Sequence, residues 1–258
     1  VSELLPTLAA LCGFAFLAGF VDSVVGGGGL VQVPALFVLL PDTAPVTILG
    51  TNKLVSSCGT AAAAVQYSRR VSIEWRATLP TIGAALLFGF IGARTAAQIP
   101  SDWFRPLVVA LLLGVLAYTL WKKDLGALHA PRLSREHTFW FGLATGSAVG
   151  FYDGFFGPGT GSFLIFAFVG LFGFSFLAAS ASAKLINLTT NLAALAYFVT
   201  HAFVRYEIAL PMAIFNIAGS LVGSRLAIRR GSGFVRALFI AIVSLLIARL
   251  LWDIVRPG

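Results

Sequence analysis

The sequence predicts an all-α polytopic membrane protein, made of two inverted-topology repeats of about five helical elements each, with a glycine-broken short helix in each repeat. Three observations predict it. First, of 258 residues 58% are hydrophobic and only 11% are charged, with a mean hydropathy of +0.92. A soluble domain carries about 25% charged residues, so this chain cannot cover a water-facing surface, and disorder is excluded on the same grounds. Second, the apolar stretches run unbroken, where a membrane barrel would alternate over roughly ten residues. Third, the chain repeats itself at a shift of 131 residues: Gly19 falls on Gly150, Asp22 on Asp153, Gly26 on Gly157, Lys53 on Lys184, Pro80 on Pro211 and Arg94 on Arg225. Shared apolar composition does not put Asp, Lys, Pro and Arg in one register.

The first half reads as apolar elements at 4–25, 29–40, 45–67, 77–97 and 104–121, the second at 138–156, 160–172, 176–200, 207–228 and 234–254. The first stretch lacks a basic lead-in and reads as a membrane segment, not a cleavable signal. The second element of each half, at about 12 residues, reaches only about 18 Å against a hydrocarbon core of about 30 Å. It follows a glycine-rich break, Gly26-Gly27-Gly28-Gly29 in one half and Gly157-Pro158-Gly159-Thr160-Gly161 in the other. Whether the short element spans or turns back, the crossings per half are odd, so the second copy is expected inverted. The expected organisation is a first transmembrane repeat at 1–121, a cytoplasmic linker at 122–137 and a second repeat at 138–258.

The net charge of +8 reads as the basic bias of cytoplasmic loops, not as a nucleic-acid surface. Arg69, Arg70, Arg76, Lys122, Lys123, Arg132, Arg135, Arg229, Arg230 and Arg236 fall on one expected side; Arg105, Arg205 and Arg256 fall on the other. Both termini are then expected outside. Trp75, Trp103, Trp121, Trp140 and Trp252 lie near element ends, as interfacial tryptophans do. Cys12 and Cys58 sit in apolar segments and read as reduced structural residues.

The candidate chemistry starts at the two breaks. Backbone that leaves the helix at membrane depth is tolerated where it is buried in protein or lines a cavity. A half-helix starting there offers free N–H groups and a positive dipole end to an anion. The substrate-binding candidates are therefore Gly27, Gly28 and Gly29, with Gly159, Thr160 and Gly161; close helix packing is the alternative reading. Lys53 and Lys184 lie inside apolar elements, where ionisable residues mark functional sites, and would flank the midplane and attract an anion unless they snorkel to an interface. Asn52 adjoins Lys53. Ser56, Ser57 and Thr60 follow Lys53, and Asn187 and Asn191 follow Lys184, at spacings that share one helix face. They either replace the hydration of an oxyanion or bond between helices; Gln32 and Ser162 on the short elements have the same two readings. Asp22 and Asp153 precede the breaks. Capping the broken backbone is the favoured reading, proton coupling or pairing with a lysine the other. Arg94 and Arg225 read as interface anchors or gating groups. No His, Cys or carboxylate spacing suggests a metal and no nucleophile elbow is present, so neither an enzyme nor a cofactor is expected.

The run Gly19-Phe20-Val21-Asp22-Ser23-Val24-Val25-Gly26-Gly27-Gly28-Gly29 resembles the first signature of the sulfite exporter TauE/SafE family, also called the toluene-sulfonate uptake permease family. Thr51-Asn52-Lys53 resembles its second, and Gly150 to Gly161 with the stretch around Lys184 resembles the repeated copies; there Pro158 interrupts the glycines and Ala183 replaces Asn. The resemblance implies a prokaryotic inner-membrane transporter of small, often sulfur-containing anions such as sulfite, sulfoacetate or sulfonates. The expected activity is secondary transport by alternating access with the site between the repeats, an anion channel being the alternative. The expected partners are the small anion, the bilayer and a coupling proton, with no nucleic acid.

Overall fold

Each half of the chain runs in the same order: long helix, glycine break, short helix, then two long helices. The computed structural model describes residues 4–100 and 133–255, with side chains from 5–100 and 133–231. The first half contains α1 (Leu4–Val25), α2 (Gly29–Leu39), α3 (Pro45–Ser68) and α4 (Trp75–Ala96). The second contains α5 (Arg135–Phe155), α6 (Thr160–Gly170), α7 (Phe176–Thr200) and α8 (Tyr206–Val255). The expected element at 104–121 and residues 122–132 of the expected linker lie outside the described residues.

The starts have local causes. Pro45 stands in the first turn of α3, where its missing N–H costs nothing. The Ser175 hydroxyl accepts from the Ala178 N–H and caps α7. At α5 the Ser134 hydroxyl accepts from the His137 N–H. That cap starts the helix at Arg135, three residues before the expected 138, so the end of the 122–137 segment is helical. The expected elements at 207–228 and 234–254 are two helices, numbered together as α8, that meet at a kink at Gly231, whose φ of 74° and ψ of −171° only glycine adopts readily. The short helices α2 and α6 have 11 residues each, about 16 Å of rise.

All the described secondary structure is helical, and among the described residues Leu5–Val25, Trp75–Ala96 and Tyr206–Gly231 are long and apolar enough to cross a membrane. Leu79, Leu86 and Leu87 on α4, and Leu210, Ile214 and Phe215 on α8, are exposed, an outer surface suited to lipid. This is an integral membrane fold. Inside, α1 packs on α8 and α4 on α5. On α5 the glycines Gly142, Gly146, Gly150 and Gly154 recur every fourth residue, so they share one face. A Cβ at Gly142 would stand 3.0 Å from Pro80, and one at Gly150 would stand 2.8 Å from the Ala85 Cα. Such small residues let backbones approach where hydrophobicity alone does not drive association.

The middle of the molecule belongs to α3 and α7, which pack on α8 and α4 and on each other. They carry half of the described buried polar residues, including Asn52, Lys53, Ser57 and Thr60 on α3 and Ser182, Lys184, Asn187 and Asn191 on α7. The two glycine breaks lie against them.

Candidate functional site

The breaks meet each other. Gly26, Gly157 and Gly159 hold positive φ (80°, 100° and 85°), conformations that cost other L-residues about 1–2 kcal/mol. The Ser162 N–H, in the first turn of α6, donates to the Gly26 carbonyl at 3.2 Å, and its hydroxyl donates to the Val25 carbonyl at 2.9 Å. A Cβ on Gly161 would stand 2.5 Å from the Gly26 Cα. So the end of α1 is satisfied by the start of α6, and one N–H expected to face an anion is already engaged. Tyr152 locks the second break by donating to the Pro158 carbonyl at 2.6 Å.

Two ion pairs cross between the halves beside the breaks. Lys53 Nζ donates to Asp153 Oδ2 at 2.7 Å and to Asn191 Oδ1 at 3.0 Å. Lys184 Nζ lies 3.1 Å from Asp22 Oδ2 and also donates to the Asp22 carbonyl. Asp22 in turn accepts from the Thr60 hydroxyl at 3.5 Å. Positions related by the 131-residue shift play matching parts: Lys53, Asp153 and Asn191 in one set, Lys184, Asp22 and Thr60 in the other.

Of the two readings of the aspartates, the structure shows the pairing, Asp153 with Lys53 and Asp22 with Lys184. The physical reason is burial. An ammonium held in a dry interior needs an opposite charge, and the carboxylate of the other half is within reach, whereas the amides of the breaks are partly satisfied by backbone. It also changes the expected electrostatics, because two ammonium groups and two carboxylates leave no net formal charge.

A polar cavity of about 20 Å³ lies at this junction, room for about one water molecule. Of the residues singled out from the sequence, it brings together Asp22, Gly29, Asn52, Lys53, Asp153, Gly159, Gly161, Asn187 and Asn191. Ser56, Thr60, Gly26 and Gly157 complete the wall. The remaining candidates sit behind it. Lys184 is fully buried beneath Asp22. The Ser57 hydroxyl turns back along its own helix to the Lys53 carbonyl at 2.7 Å, and the Thr160 hydroxyl bonds the Gly157 carbonyl within the break at 2.7 Å. Gly27 and Gly28 are buried; a Cβ on Gly28 would meet Asp22 Cβ at 2.6 Å, whereas one on Gly27 would meet nothing closer than 3.7 Å. Arg94 and Arg225 do not line the cavity.

One polar chain escaped the sequence reading. Asn216 on α8 donates to Gln32 Oε1 at 3.0 Å and to the Ala15 carbonyl at 2.9 Å, and Gln32 donates to Asn52 Oδ1 at 2.8 Å. It ties α8 through α2 to the cavity wall. The position matching Asn216 in the first half is Ala85, so the repeat gave no signal for it; a lone Asn inside an apolar run was the available clue. Among the described residues no group of His, Cys, Asp and Glu could hold a metal ion.

The family model described as "Sulfite exporter TauE/SafE" matches residues 11–250. The chain is 36% identical to a probable membrane transporter protein, ORF9, from a Sinorhizobium species, covering 97% of this chain and 94% of that one. It is 35% identical to the probable membrane transporter protein YfcA of Escherichia coli K12, covering 98% and 92%. It is 32% identical to a probable membrane transporter protein of Haemophilus influenzae, covering 95% of each. No solved structure matches the chain.

Proposed function

The chain belongs to the sulfite exporter TauE/SafE family, and from that premise we propose that it is a secondary transporter of a small anion, of the sulfur-oxyanion or sulfonate class, in a prokaryotic inner membrane. The anion binds between two inverted repeats, on Lys53, Asn52, Asn187 and Asn191 and at the half-helix starts around Gly29, Gly159 and Gly161. The observation that carries this reading is the crossed pairing of Lys53 with Asp153 and of Lys184 with Asp22 around one cavity. A carboxylate presents the same kind of charged oxygen as the transported anion, so each aspartate occupies the anion's place on its lysine. An arriving anion exchanges with Asp153 on Lys53. Because each pair joins one half to the other, exchanging it loosens the contact between halves, and rocking of one half against the other follows.

The small cavity suits a site that opens only when the halves move, and on that ground the transporter is preferred to an open anion channel. A membrane potential negative inside favours anion export by about 2.3 kcal/mol per charge per 100 mV. Uptake therefore needs a coupled cation, and a proton on Asp22 or Asp153 supplies it.

The test is a thermal-shift and liposome-flux screen across sulfite, sulfate, thiosulfate, sulfoacetate and small carboxylates, with Lys53→Ala and Lys184→Ala alongside. Saturable counterflow of one anion, lost in both variants, is expected. Single-channel currents would replace the transporter by a channel, and wild-type flux in both variants would remove the site.

A further inference from the structure

A second cavity, of about 600 Å³, opens between α3 and α8, within the range of about 300–1,000 Å³ typical of small-molecule sites. Its wall has two parts. Ala61, Ala62, Val65, Leu221 and Ile228 make an apolar side; Arg69, Arg70, Arg225 and Arg229 make a basic one. The four arginines are exposed, and no described acidic residue pairs with any of them. Gln66 bridges the two helices across it, donating to the Leu221 carbonyl at 3.5 Å.

This cavity is not a mouth of the substrate site. Gln66 lies six residues beyond Thr60, which turns it about 120° around α3 from the face that carries Lys53, Ser56 and Thr60. Ala63, Ala64 and Tyr67, on the same turns of α3, are buried and line neither cavity. Nor is it a consequence of the repeat. In the other half, the positions matching Gln66, Leu221 and Arg70 are Tyr197, Phe90 and His201. Their rings pack together, Phe90 on Tyr197 at 5.5 Å and Tyr197 on His201 at 4.1 Å. Aromatic rings contact one another at these positions, whereas here the groove is open and ringed with charge.

We propose that the groove binds an anionic phospholipid, with its phosphate among Arg69, Arg70, Arg225 and Arg229 and an acyl chain along Ala62, Val65 and Leu221. Depth and charge select this occupant. The arginines stand at the end of the membrane-crossing stretch Tyr206–Gly231 and just past the end of α3, the level at which a headgroup sits. Basic pockets between membrane helices hold acidic headgroups. A soluble anion would leave the apolar wall uncovered.

Native mass spectrometry of the purified protein tests this with phosphatidylglycerol, phosphatidylcholine of the same chains and inorganic phosphate. Phosphatidylglycerol is retained, phosphatidylcholine is not, and excess phosphate leaves the lipid in place. Arg→Gln changes at 69, 70, 225 and 229 weaken retention by about fivefold for each arginine removed. The Gln66→Tyr/Leu221→Phe variant, which carries over the ring pair of the other half, folds and excludes the lipid, and it decides the matter if the arginine variants do not fold. Equal retention of phosphatidylcholine, displacement by inorganic phosphate, or wild-type retention in Gln66→Tyr/Leu221→Phe each overturns the assignment.

Discussion

Lys53 and Asp153 come from opposite halves of the chain, yet their charged atoms stand 2.7 Å apart with each side chain only 2% exposed. Removing one partner of such a pair leaves an uncompensated buried charge, which costs about 3–5 kcal/mol, whereas replacing both with apolar groups is often neutral. Lys53→Met and Asp153→Leu are therefore each expected to lower the melting temperature in detergent sharply. The Lys53→Met/Asp153→Leu double variant is expected to recover most of the loss while remaining inactive in flux. Additive destabilisation in the double variant would show that the two groups do not depend on each other.

The second pair is not equivalent. Lys184 is fully buried and does not line the cavity, while Lys53 does. Ligand at a hundredfold excess over its Kd stabilises by about 2.7 kcal/mol, so binding reads out as a thermal shift. Lys53→Gln is expected to abolish the shift given by the best anion. Lys184→Gln is expected to lower the starting melting temperature and keep the shift. The reverse pattern would move the anion to Lys184.

Much of this was legible in the sequence, for a definite reason: a duplication writes the same information twice. One glycine run or one membrane lysine is ambiguous, but Gly26 with Gly157 and Lys53 with Lys184 in a single register marked the site. What stayed hidden depended on contacts between halves. The sequence placed Asp22 and Asp153 next to free backbone amides, so capping was the nearer use, and only the fold brings Lys184 beside Asp22 and Lys53 beside Asp153. Ser57 shares a face with Lys53 by spacing, yet its hydroxyl bonds its own helix. Asn216 has an alanine as its repeat partner, so the filter that found the others passed over it.

The contact of the breaks gives a prediction with an internal control. Gly26 has a positive φ and its Cβ would stand 2.5 Å from the Gly161 Cα, whereas a Cβ on Gly13 in α1 meets nothing within 4 Å. Gly26→Ala combines left-handed strain of about 1–2 kcal/mol with overpacking of about 1–3 kcal/mol. Gly13→Ala is expected to be neutral or to gain about 0.5–1 kcal/mol from helix propensity. Denaturation of both variants in the same detergent checks it; equal stability would mean that the breaks do not touch.

Gln32 links Asn52 in the cavity wall to Asn216 on α8. Gln32→Leu leaves two buried polar groups without that partner, at about 1–3 kcal/mol each, and frees Asn52 to turn. A lower melting temperature and a raised KM for the transported anion are expected together. Loss of stability with an unchanged KM would confine the chain of amides to packing.

Asp153 loses its ammonium partner when an anion takes Lys53, and a lone carboxylate in a dry site is far costlier charged than neutral. The proposed exchange is therefore expected to bring a proton in with the anion, in the same direction. A sulfonate is the useful probe, because its own acid form is negligible at neutral pH and cannot leak across the bilayer carrying protons. Liposomes containing the wild-type protein and a trapped pH dye are expected to acidify inside when the sulfonate is added outside. Asp153→Asn is expected to abolish that acidification, since the amide cannot take up the proton. Sulfonate uptake by the wild type with no change in internal pH would sink the coupling and leave Asp153 as a place-holder for the anion alone.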